Sequence, residues 1–389
     1  MTKLDELIEE LCPEGVEWKT LDLLVENKTV KIVTPTFKIK RNDYKQIGET
    51  PIISQEIEYI SGYCDLHDSN ILKRNYVCFG DHSEHIKYID FAFVQGADGL
   101  KIMYTDENVL NAKFFYHAIS SLYRKHNNYE RHFKYLCDLQ LPIPPLQVQN
   151  EIVRILDKFT LLEAELEAEL EARREQYEYY RDSLLTFDDG VEWKTLGEVA
   201  NKITDGMHNL PKCISEKTDY PIISAQNINN GLITFETNKY VTSDVFNVEN
   251  KRTSVALGDV LLTIVGAIGR SAVVKTEQKM LFQRSVCVIK PKQDLLDSSY
   301  LKYIFDSKTV QNYIQRNAQG AAQKGIYLDS VKKIKIPLPS LTRQNEIVKI
   351  LDRFESLCND ISTGLPAEIK ARHQQYEYYR DKLLSFKRK

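Results

Sequence analysis

A long stripe of apolar side chains at helical spacing is the dominant pattern in the chain. From residue 146 to residue 187 there is no Gly or Pro, and Leu, Glu, Ala and Arg, which favour helices, predominate. The apolar positions mostly recur every three or four residues, at Ile152, Leu156, Phe159, Leu162, Leu166, Leu170, Tyr177, Tyr180, Leu184 and Phe187. This spacing predicts one helix of about 40 residues, ~60 Å long at ~1.5 Å per residue, with an apolar seam of the coiled-coil type.

A second stripe follows Pro337 and Pro339, at Ile347, Leu351, Phe354, Leu357 and Ile361. Gly364 and Pro366 predict that this helix breaks and then restarts toward Phe386. Two such stripes in one chain can cover each other. We expect them to pair antiparallel, because a whole domain separates them. The alternative is that each helix packs only on its own domain.

The chain also repeats itself. Four segments recur in the same order, 15–21 as 190–196, 51–54 as 221–224, 149–159 as 344–354, and 176–182 as 375–381. Colinear matches of this kind indicate a duplicated unit, a variable domain followed by a near-constant helix.

Between the repeated segments, strand-like apolar runs alternate with turn residues, as at 75–80, 91–95, 260–265 and 285–289. We therefore predict an α+β fold with two mixed α/β domains, separated by two long antiparallel coiled-coil helices and related by a pseudo-two-fold internal repeat. The predicted boundaries are residues 1–145 for the first domain with an N-terminal helix, 146–187 for the central helix, 188–340 for the second domain and 341–389 for the C-terminal helical segment.

Composition narrows the class of protein. With 42% apolar and 28% charged residues, the 389-residue chain is globular. It has no apolar run long enough for a membrane span, and its acidic amphipathic start lacks a signal-peptide pattern, so we expect a cytoplasmic protein. Seven cysteines without a CxxC pair indicate neither a disulfide framework nor a zinc site.

The net charge of −3 does not by itself favour nucleic acid. The charges are unevenly distributed, however. Residues 192–338 contain 20 Lys and Arg against 14 Asp and Glu, whereas residues 161–171 contain five Glu and no basic residue. A basic face on the variable domains is therefore compatible with the composition.

Signatures of catalysis on DNA are missing from the sequence. There is no GxxxxGK[ST] phosphate loop and no Asn- or Asp-Pro-Pro-aromatic motif, and the nearest strings, at 143–146 and 338–341, mark the entries to the helices. We therefore predict no catalytic residue and no metal site in this chain.

Two clusters in the first domain are candidates for DNA contacts. The first is a loop after a predicted strand, with Asp81, His82, Glu84 and His85. It can contact bases or phosphates, be a plain surface loop, or hold a metal, although its spacing is poor for zinc. The second interleaves aromatic and basic residues, with Tyr129, Arg131, His132 and Lys134. Its alternative is a solvated helix end.

Two further candidate loops lie in the second domain. Thr263–Arg270 contains two glycines that allow close backbone approach to a ligand, and it ends at the cationic Arg270. Residues 319–325 and the positions after them offer Gln319, Gln323, Lys324, Tyr327 and Lys332. Gln suits adenine edges, and Lys suits guanine or phosphate, so this stretch is a candidate groove reader. The alternatives are a tight hairpin and a mobile solvent loop.

The doubled Tyr-Glu-Tyr-Tyr-Arg-Asp segments are candidates for binding partner proteins, through Tyr177, Tyr179, Tyr180, Tyr376, Tyr378 and Tyr379. Tyr177 and Tyr180 continue the apolar seam, so a core stripe is the alternative for them. Tyr179 and Tyr378 lie off the seam and need another partner, which favours two equivalent docking surfaces.

On these residues the chain resembles the specificity (DNA-recognition) subunits of Type I restriction-modification systems. The resemblance covers nearly the whole length. It rests on the doubled Gln-Asn-Glu-Ile-Val-x-Ile-Leu-Asp-x-Phe and Tyr-Glu-Tyr-Tyr-Arg-Asp segments, the Gly-Val-Glu-Trp openings, and the strings at 258–262 and 320–324.

The resemblance implies a non-catalytic subunit that reads a bipartite, asymmetric site in double-stranded DNA. In that family each variable domain recognises one half of the site, and the helices hold two adenine-methylating modification subunits. Restriction subunits add ATP-dependent cleavage, and S-adenosylmethionine, ATP and magnesium are bound by these partners. DNA contacts do not carry over residue by residue, because recognition domains diverge. The competing hypotheses are a self-contained nuclease that uses residues 81–85, and a coiled-coil adaptor that does not contact DNA.

Overall fold

A computed structural model describes residues 2–65, 71–188, 190–320, 324–359 and 363–389. The chain divides into two compact units, Met1–Glu165 with Ile369–Lys389, and Leu166–Glu368. The predicted boundaries lie at the ends of the helical segments, whereas the boundaries of the compact units lie within the helical segments, at residues 165/166 and 368/369.

In its described residues, the first unit begins with a helix and contains nine strands. Its elements are α1 (Lys3–Leu11), β1 (Glu17–Thr20), α2 (Leu21–Glu26), β2 (Val30–Val33), a 3₁₀ turn (Arg41–Asp43), β3 (Thr50–Ile53), β4 (Gly62–Cys64), β5 (Tyr76–Gly80), β6 (Ile86–Ile89), β7 (Val94–Gln95), β8 (Leu100–Thr105), α3 (Ala112–Leu122), α4 (Phe133–Cys137), β9 (Gln140–Ile143) and the start of α5 (Leu146–Leu184).

The main sheet of this unit has the strand order β2-β8-β5-β6, and all its pairs are antiparallel. A smaller sheet has the order β4-β3-β7, with β3 and β7 parallel, and β1 pairs with β9. Helix α3 packs against β5 and β6. The core between them includes Phe79, Phe114 and Ile152, none of which is measurably exposed.

The second unit contains the rest of α5 and, in the part of it that the structure describes, ten strands. Its further elements are β10 (Glu192–Thr195), α6 (Leu196–Val199), β11 (Ala200–Asp205), β12 (Ile222–Ile223), a 3₁₀ turn (Ala225–Asn227), β13 (Ile228–Asn229), β14 (Leu232–Ile233), α7 (Ser243–Thr253), β15 (Val260–Thr263), β16 (Ser271–Val273), β17 (Leu281–Phe282), β18 (Val286–Pro291), α8 (Ser298–Asp306), α9 (Lys308–Asn317), α10 (Leu328–Lys332), β19 (Lys335–Leu338) and α11 (Leu341–Asn359). Helix α12 (Leu365–Leu383) begins in this unit and ends in the first.

The main sheets of the two variable domains have the same strand topology although their sequences differ, whereas the smaller sheets differ, since β13 and β14 form an additional pair in the second unit. The main sheet of the second unit has the order β11-β18-β15-β16, again antiparallel, and β12 pairs in parallel with β17 as β3 does with β7. Helix α8 packs on this sheet and against α11. The predicted α+β class and internal repeat are confirmed.

Each unit contains the same aromatic stack between two helices. In the first unit, Phe159 of α5 stacks on Tyr379 of α12, with ring centroids 5.3 Å apart, and Glu163 bonds to His373 at 2.9 Å. Residue numbers rise on α5 as they fall on α12, so the two helices run antiparallel here. In the second unit, Phe354 of α11 stacks on Tyr180 of α5 at 5.5 Å.

The helices also follow the predicted breaks and domain contacts. Helix α11 ends at Asn359 and α12 begins at Leu365, in the region where Gly364 and Pro366 predict an interruption. The first turns of α5 lie in the core of the first unit, so pairing with another helix and packing on the domain occur together. No helix in the described part of the chain combines the length and apolar character needed to cross a membrane.

The doubled Gln-Asn-Glu segment has a structural role at the helix entries. The fully buried Gln149 donates from its amide to the carbonyl oxygens of Val109 and Pro144, and its side-chain oxygen accepts from the Asn111 N–H. Gln344, also fully buried, makes the equivalent three bonds in the second unit, to Leu295, Pro339 and Asp297. One side chain in each unit therefore joins the start of a long helix to the loop before α3 or α8.

Replacing this glutamine should be costly. We expect Gln149→Leu to lower the free energy of unfolding of the first unit by at least about 2 kcal/mol, because three buried backbone groups lose their partner. Urea unfolding followed by Trp18 fluorescence in a Trp193→Phe background reports on this unit. The exposed Gln147→Leu is the control and should change stability by no more than about 0.5 kcal/mol. Equal effects of the two variants would contradict the role of Gln149.

Candidate nucleic-acid interface

The two candidate clusters of the first domain form one surface. One cluster lies in the loop between β5 and β6. The other lies in the loop between α3 and α4, except for Lys134, which is in the first turn of α4. They are joined at Asp81, whose carbonyl oxygen accepts from the His132 N–H at 2.7 Å and whose carboxylate accepts from the Phe133 N–H at 2.9 Å. Residues far apart in sequence therefore lie side by side.

Glu84 anchors the α3–α4 loop. Its carboxylate accepts hydrogen bonds from the Tyr123 hydroxyl at 2.8 Å and from the backbone N–H groups of His126 and Asn127 at 2.8 and 2.9 Å. Burial alone would raise the pKa of the Glu84 carboxyl, but these donors and the neighbouring His132 hold that pKa below its ordinary value. Both Glu84 and Asn127 adopt positive φ, +56° and +55°, so the turns that bring them together are tight.

Three of the sequence-predicted DNA contacts are buried instead. Asp81, Glu84 and His132 are 5%, 2% and 0% exposed, and their polar atoms face the protein. Their role is to hold the loops, and direct contact with DNA does not fit their position. Sequence reasoning placed them at the surface because charged residues are rarely buried unless they are paired. In the part of the chain that the structure describes, no three metal-ligating side chains converge.

The exposed members of the clusters lie around these anchors. His82 is half-buried and stacks with its ring almost parallel to that of Tyr129, at 5.3 Å between centroids. Arg131 is exposed, and Lys134 is exposed but bonded to Glu130. His85 is half-buried, and its burial, together with the charges of Lys125 and Lys87, lowers the pKa of its imidazole.

The candidate loops of the second domain also meet. The Gly266 N–H donates to the Lys324 carbonyl oxygen at 3.0 Å, and the Ile326 N–H donates to the Ile264 carbonyl oxygen at 2.9 Å. The loop between β15 and β16 is thereby joined to the loop before α10. In the first unit, the equivalent loop between β5 and β6 is joined to the loop before α4.

Neutral groups hold the loop between β15 and β16. The buried Thr263 hydroxyl donates to the Ala267 carbonyl oxygen at 2.5 Å and accepts from the Arg270 N–H at 2.9 Å. The Gln311 amide donates to the Gly269 carbonyl oxygen at 2.8 Å. Gly269 has φ +89°, and a Cβ there would meet the Gln311 side chain at 2.5 Å, so glycine is required. The roles of Thr263 and Gln311 as anchors are not visible in the sequence, since nothing in their spacing marks the groups they bond.

The side chains that these loops present are mostly in solvent. Arg270, Gln319, Lys324 and Tyr327 are exposed, and so is Lys332, which pairs with Asp329 at 3.1 Å. Gln323 lies outside the described residues. The candidates therefore offer exposed polar and basic side chains, and Gly266 and Ala267 at the tip of the loop between β15 and β16 are exposed as well.

The six candidate partner-binding tyrosines separate into three equivalent pairs. Tyr177 packs against the core of the second unit, and Tyr376 bonds through its hydroxyl to His117 Nδ1 at 3.0 Å in the first. Tyr180 and Tyr379 form the helix stacks described above. Tyr179 and Tyr378 are 70% and 61% exposed. The off-seam pair is thus the most exposed of the three, although Tyr180 also keeps 40% of its surface exposed.

The Glu84 anchor predicts a pH-dependent effect. We expect Glu84→Gln to lower the stability of the first unit at pH 7 by about 1–3 kcal/mol, because an amide cannot accept from every donor around it. The folded-state pKa of Glu84 lies below its ordinary value of 4.5, so its contribution is complete above that pH and is lost as the pH falls through the folded-state value. The difference between wild type and variant should therefore shrink in acid.

Urea unfolding followed by Trp18 fluorescence at neutral and acidic pH measures this difference. Glu9→Gln, at an exposed position of α1, is the control and should show none. A difference that is constant from pH 7 to acid would mean that the charge of the carboxylate does not hold the loop.

Comparison with known proteins identifies the family. Residues 26–172 and 188–371 match the model of the Type I restriction modification DNA specificity domain. The specificity subunit of the Type I restriction enzyme EcoR124I/EcoR124II of Escherichia coli is 32% identical over 397 residues, which cover 96% of this chain and 95% of that protein. The specificity subunit of the Escherichia coli Type I enzyme EcoprrI is 33% identical over 232 residues, 57% of this chain and 52% of its own.

Solved structures share the fold. The S subunit of a Type I restriction-modification system from M. genitalium aligns over 96% of this chain and 97% of its own, with a TM-score of 0.53 and 14% identity. A chain from a structure that addresses assembly and conformational transition of the type I R-M system covers 96% and 98%, with a TM-score of 0.58 and 15% identity. The chain therefore belongs to the family of DNA specificity subunits of Type I restriction-modification systems, which are not themselves catalytic.

Proposed function

We propose that residues 1–145 and 188–340 form two recognition domains, each of which reads one half of a bipartite DNA sequence through its pair of joined loops. The observation that carries this proposal is that two domains of unlike sequence join equivalent loops on equivalent sheets. A shared scaffold with different exposed side chains suits two different half-sites.

The exposed groups have the chemistry that duplex DNA requires. Arg270 and Lys324 can pair with guanine edges or phosphates, and Gln319 can pair with adenine. In the first domain Arg131, His82 and Tyr129 supply a cation and aromatic surface. The glycine tip of the second domain lets backbone approach the groove closely.

The chain would act by positioning other subunits on DNA in the cytoplasm. Two methyltransferase subunits would dock on the tyrosine segments and bind S-adenosylmethionine, and restriction subunits would bind ATP and magnesium. The exposed Tyr179 and Tyr378 support this, because exposed tyrosines at equivalent places on two helices suit two copies of one partner.

Exchange of one recognition domain tests the proposal. Residues 22–140 are replaced by the equivalent part of a relative, and the methylated sequence is read by methylome sequencing of cells that express the chain with its methyltransferase. We expect one half of the modified sequence to change and the other half to stay, because each unit has its own core and its own loops. A change in both halves would contradict the division of reading between the domains.

The docking surfaces are tested by removing both exposed rings. We expect Tyr179→Ala with Tyr378→Ala to weaken methyltransferase binding by about 2 kcal/mol or more, since exposed tyrosines at interfaces contribute strongly. Isothermal titration of the chain with the methyltransferase measures the loss. Tyr327→Ala is the matched control, since this tyrosine is 66% exposed but lies at a recognition loop. It should leave methyltransferase binding unchanged and weaken DNA binding. If the double variant instead weakened only DNA binding and Tyr327→Ala weakened only methyltransferase binding, both assignments would be wrong.

A further inference from the structure

Tyr129 presents an aromatic face to solvent at the tip of the α3–α4 loop. Its side chain is 91% exposed and lies outside the hydrophobic core of the first unit. One face of the ring is backed by His82, at 5.3 Å between centroids and 16° between planes. The other face has no ring contact with any described residue. The open face of the ring is therefore free to stack on a flat aromatic ligand.

The ring is held in place before any ligand arrives. On one side of Tyr129, Glu84 accepts from the backbone N–H groups of His126 and Asn127. On the other side, His132 Nε2 bonds to the Asn128 carbonyl oxygen at 2.9 Å, and His82 Nδ1 bonds to the Glu130 carbonyl oxygen at 2.9 Å. Much of the entropy of ordering this loop is therefore already lost in the free protein, which favours binding.

The surroundings of the ring are cationic. Arg124, Lys125 and Arg131 are all exposed within the same loop, and none of them forms a salt bridge with a residue that the structure describes. The acid next to Tyr129, Glu130, is bonded to Lys134 and to the Tyr135 hydroxyl. A flat aromatic face among cations fits a nucleobase face with its neighbouring phosphates better than an apolar protein surface.

In an intact duplex, however, the neighbouring bases cover both faces of every base. An aromatic ring can use its face only where a base step is opened, as wedge side chains do when they kink DNA. We propose that Tyr129, backed by His82, is a stacking platform for a base at an opened step within the first half-site. Because steps differ in how easily they open, the platform contributes specificity through the deformability of that step.

This inference rests on the proposed function and deepens it. It predicts that part of the first half-site is read without a hydrogen bond to a base edge. The complex should bind the duplex more tightly when stacking at that base step is already weakened, because less of the binding free energy is then spent on unstacking.

Nicked DNA provides the test. The duplex carries the sequence that the chain and its methyltransferase modify, and a single nick is moved step by step through each half-site, so that every base is retained. Affinity of the assembled complex is measured by fluorescence anisotropy for wild type, Tyr129→Ala, Tyr129→Phe and His82→Ala. Size-exclusion chromatography checks that each variant still assembles with the methyltransferase.

We expect Tyr129→Ala to weaken binding of the intact duplex by about 5- to 150-fold, the loss of one stacked base, and Tyr129→Phe to bind within about twofold of wild type. A nick at one step of the first half-site should tighten wild-type binding, and this gain should vanish in Tyr129→Ala and persist in Tyr129→Phe. His82→Ala should give a smaller loss than Tyr129→Ala. Nicks in the second half-site are the matched control and should give no gain that depends on Tyr129.

Two results would overturn the platform. The first is equal binding of all duplexes by Tyr129→Ala and wild type. The second is loss of methyltransferase assembly in Tyr129→Ala with DNA affinity unchanged, which would assign the ring to a protein partner. Either result is distinguishable from failure of the proposed function, because the exchange of residues 22–140 reports on half-site reading independently of Tyr129.

Discussion

An apolar stripe on a helix is unstable when it is exposed to water. This chain has two such stripes, and its arrangement follows from how they are buried. Within each unit, the first turns of a near-constant helix are buried in the domain core, and the next turn is covered by an aromatic of another helix. Burying one Leu or Ile contributes about 1.5–3 kcal/mol, whereas an exposed ion pair such as Glu169 with Arg173 contributes about 0–1 kcal/mol. The seam therefore sets the register of the helices, and the charges on their outer faces are free to serve other purposes.

Because α12 and the residues after it pack into the first unit, that unit is made of two separate segments of the chain. Leu384 is 1% exposed in its core, the Val16 N–H donates to the Lys387 carbonyl oxygen at 2.9 Å, and the Arg388 guanidinium lies 4.9 Å from the Trp18 ring centroid. The last residues of the chain thus complete a domain that its first residues begin. The second unit is continuous, so its contacts close shorter loops. The entropic cost of closing a loop rises only slowly with its length. The long insertion between the two parts of the first unit therefore lowers its stability little and mainly slows its folding.

Helix boundaries could be predicted from the sequence more accurately than the exposure of loop side chains. Periodicity identified α5 to within a few residues, and Gly364 with Pro366 identified the interruption before α12, because these signals are local. The shared topology of the two domains was not visible, since different apolar residues fill the same core positions. The burial of Glu84 was missed for a similar reason. Its partners are backbone N–H groups of a loop that is distant in sequence, and no spacing of residue types encodes them.

For the same reason, the sequence does not show which polar loop residues are exposed and which are buried. Arg131, Arg270 and Lys324 are exposed, and of these Arg270 also donates a long hydrogen bond, 3.5 Å, to the Ile228 carbonyl oxygen. Asp81 and His132, in contrast, are needed by the backbone of the neighbouring loop. A polar residue type alone does not distinguish these cases. The distinction requires knowing which backbone groups the fold leaves without a partner, and those are fixed only when the sheet brings the two loops together.

The two units show that one geometric requirement can be met with different chemistry. The loop of the first unit is anchored by a carboxylate, and that of the second by a hydroxyl and an amide. A carboxylate beneath a surface that meets phosphates would repel them if its charge were free. Here the charge of Glu84 is opposed by two backbone N–H dipoles and a tyrosine hydroxyl, and His132 lies 3.3 Å away. Because the anchors bond backbone rather than the recognition side chains, those side chains can change without loss of the loop conformation, which is the freedom that divergent DNA recognition requires.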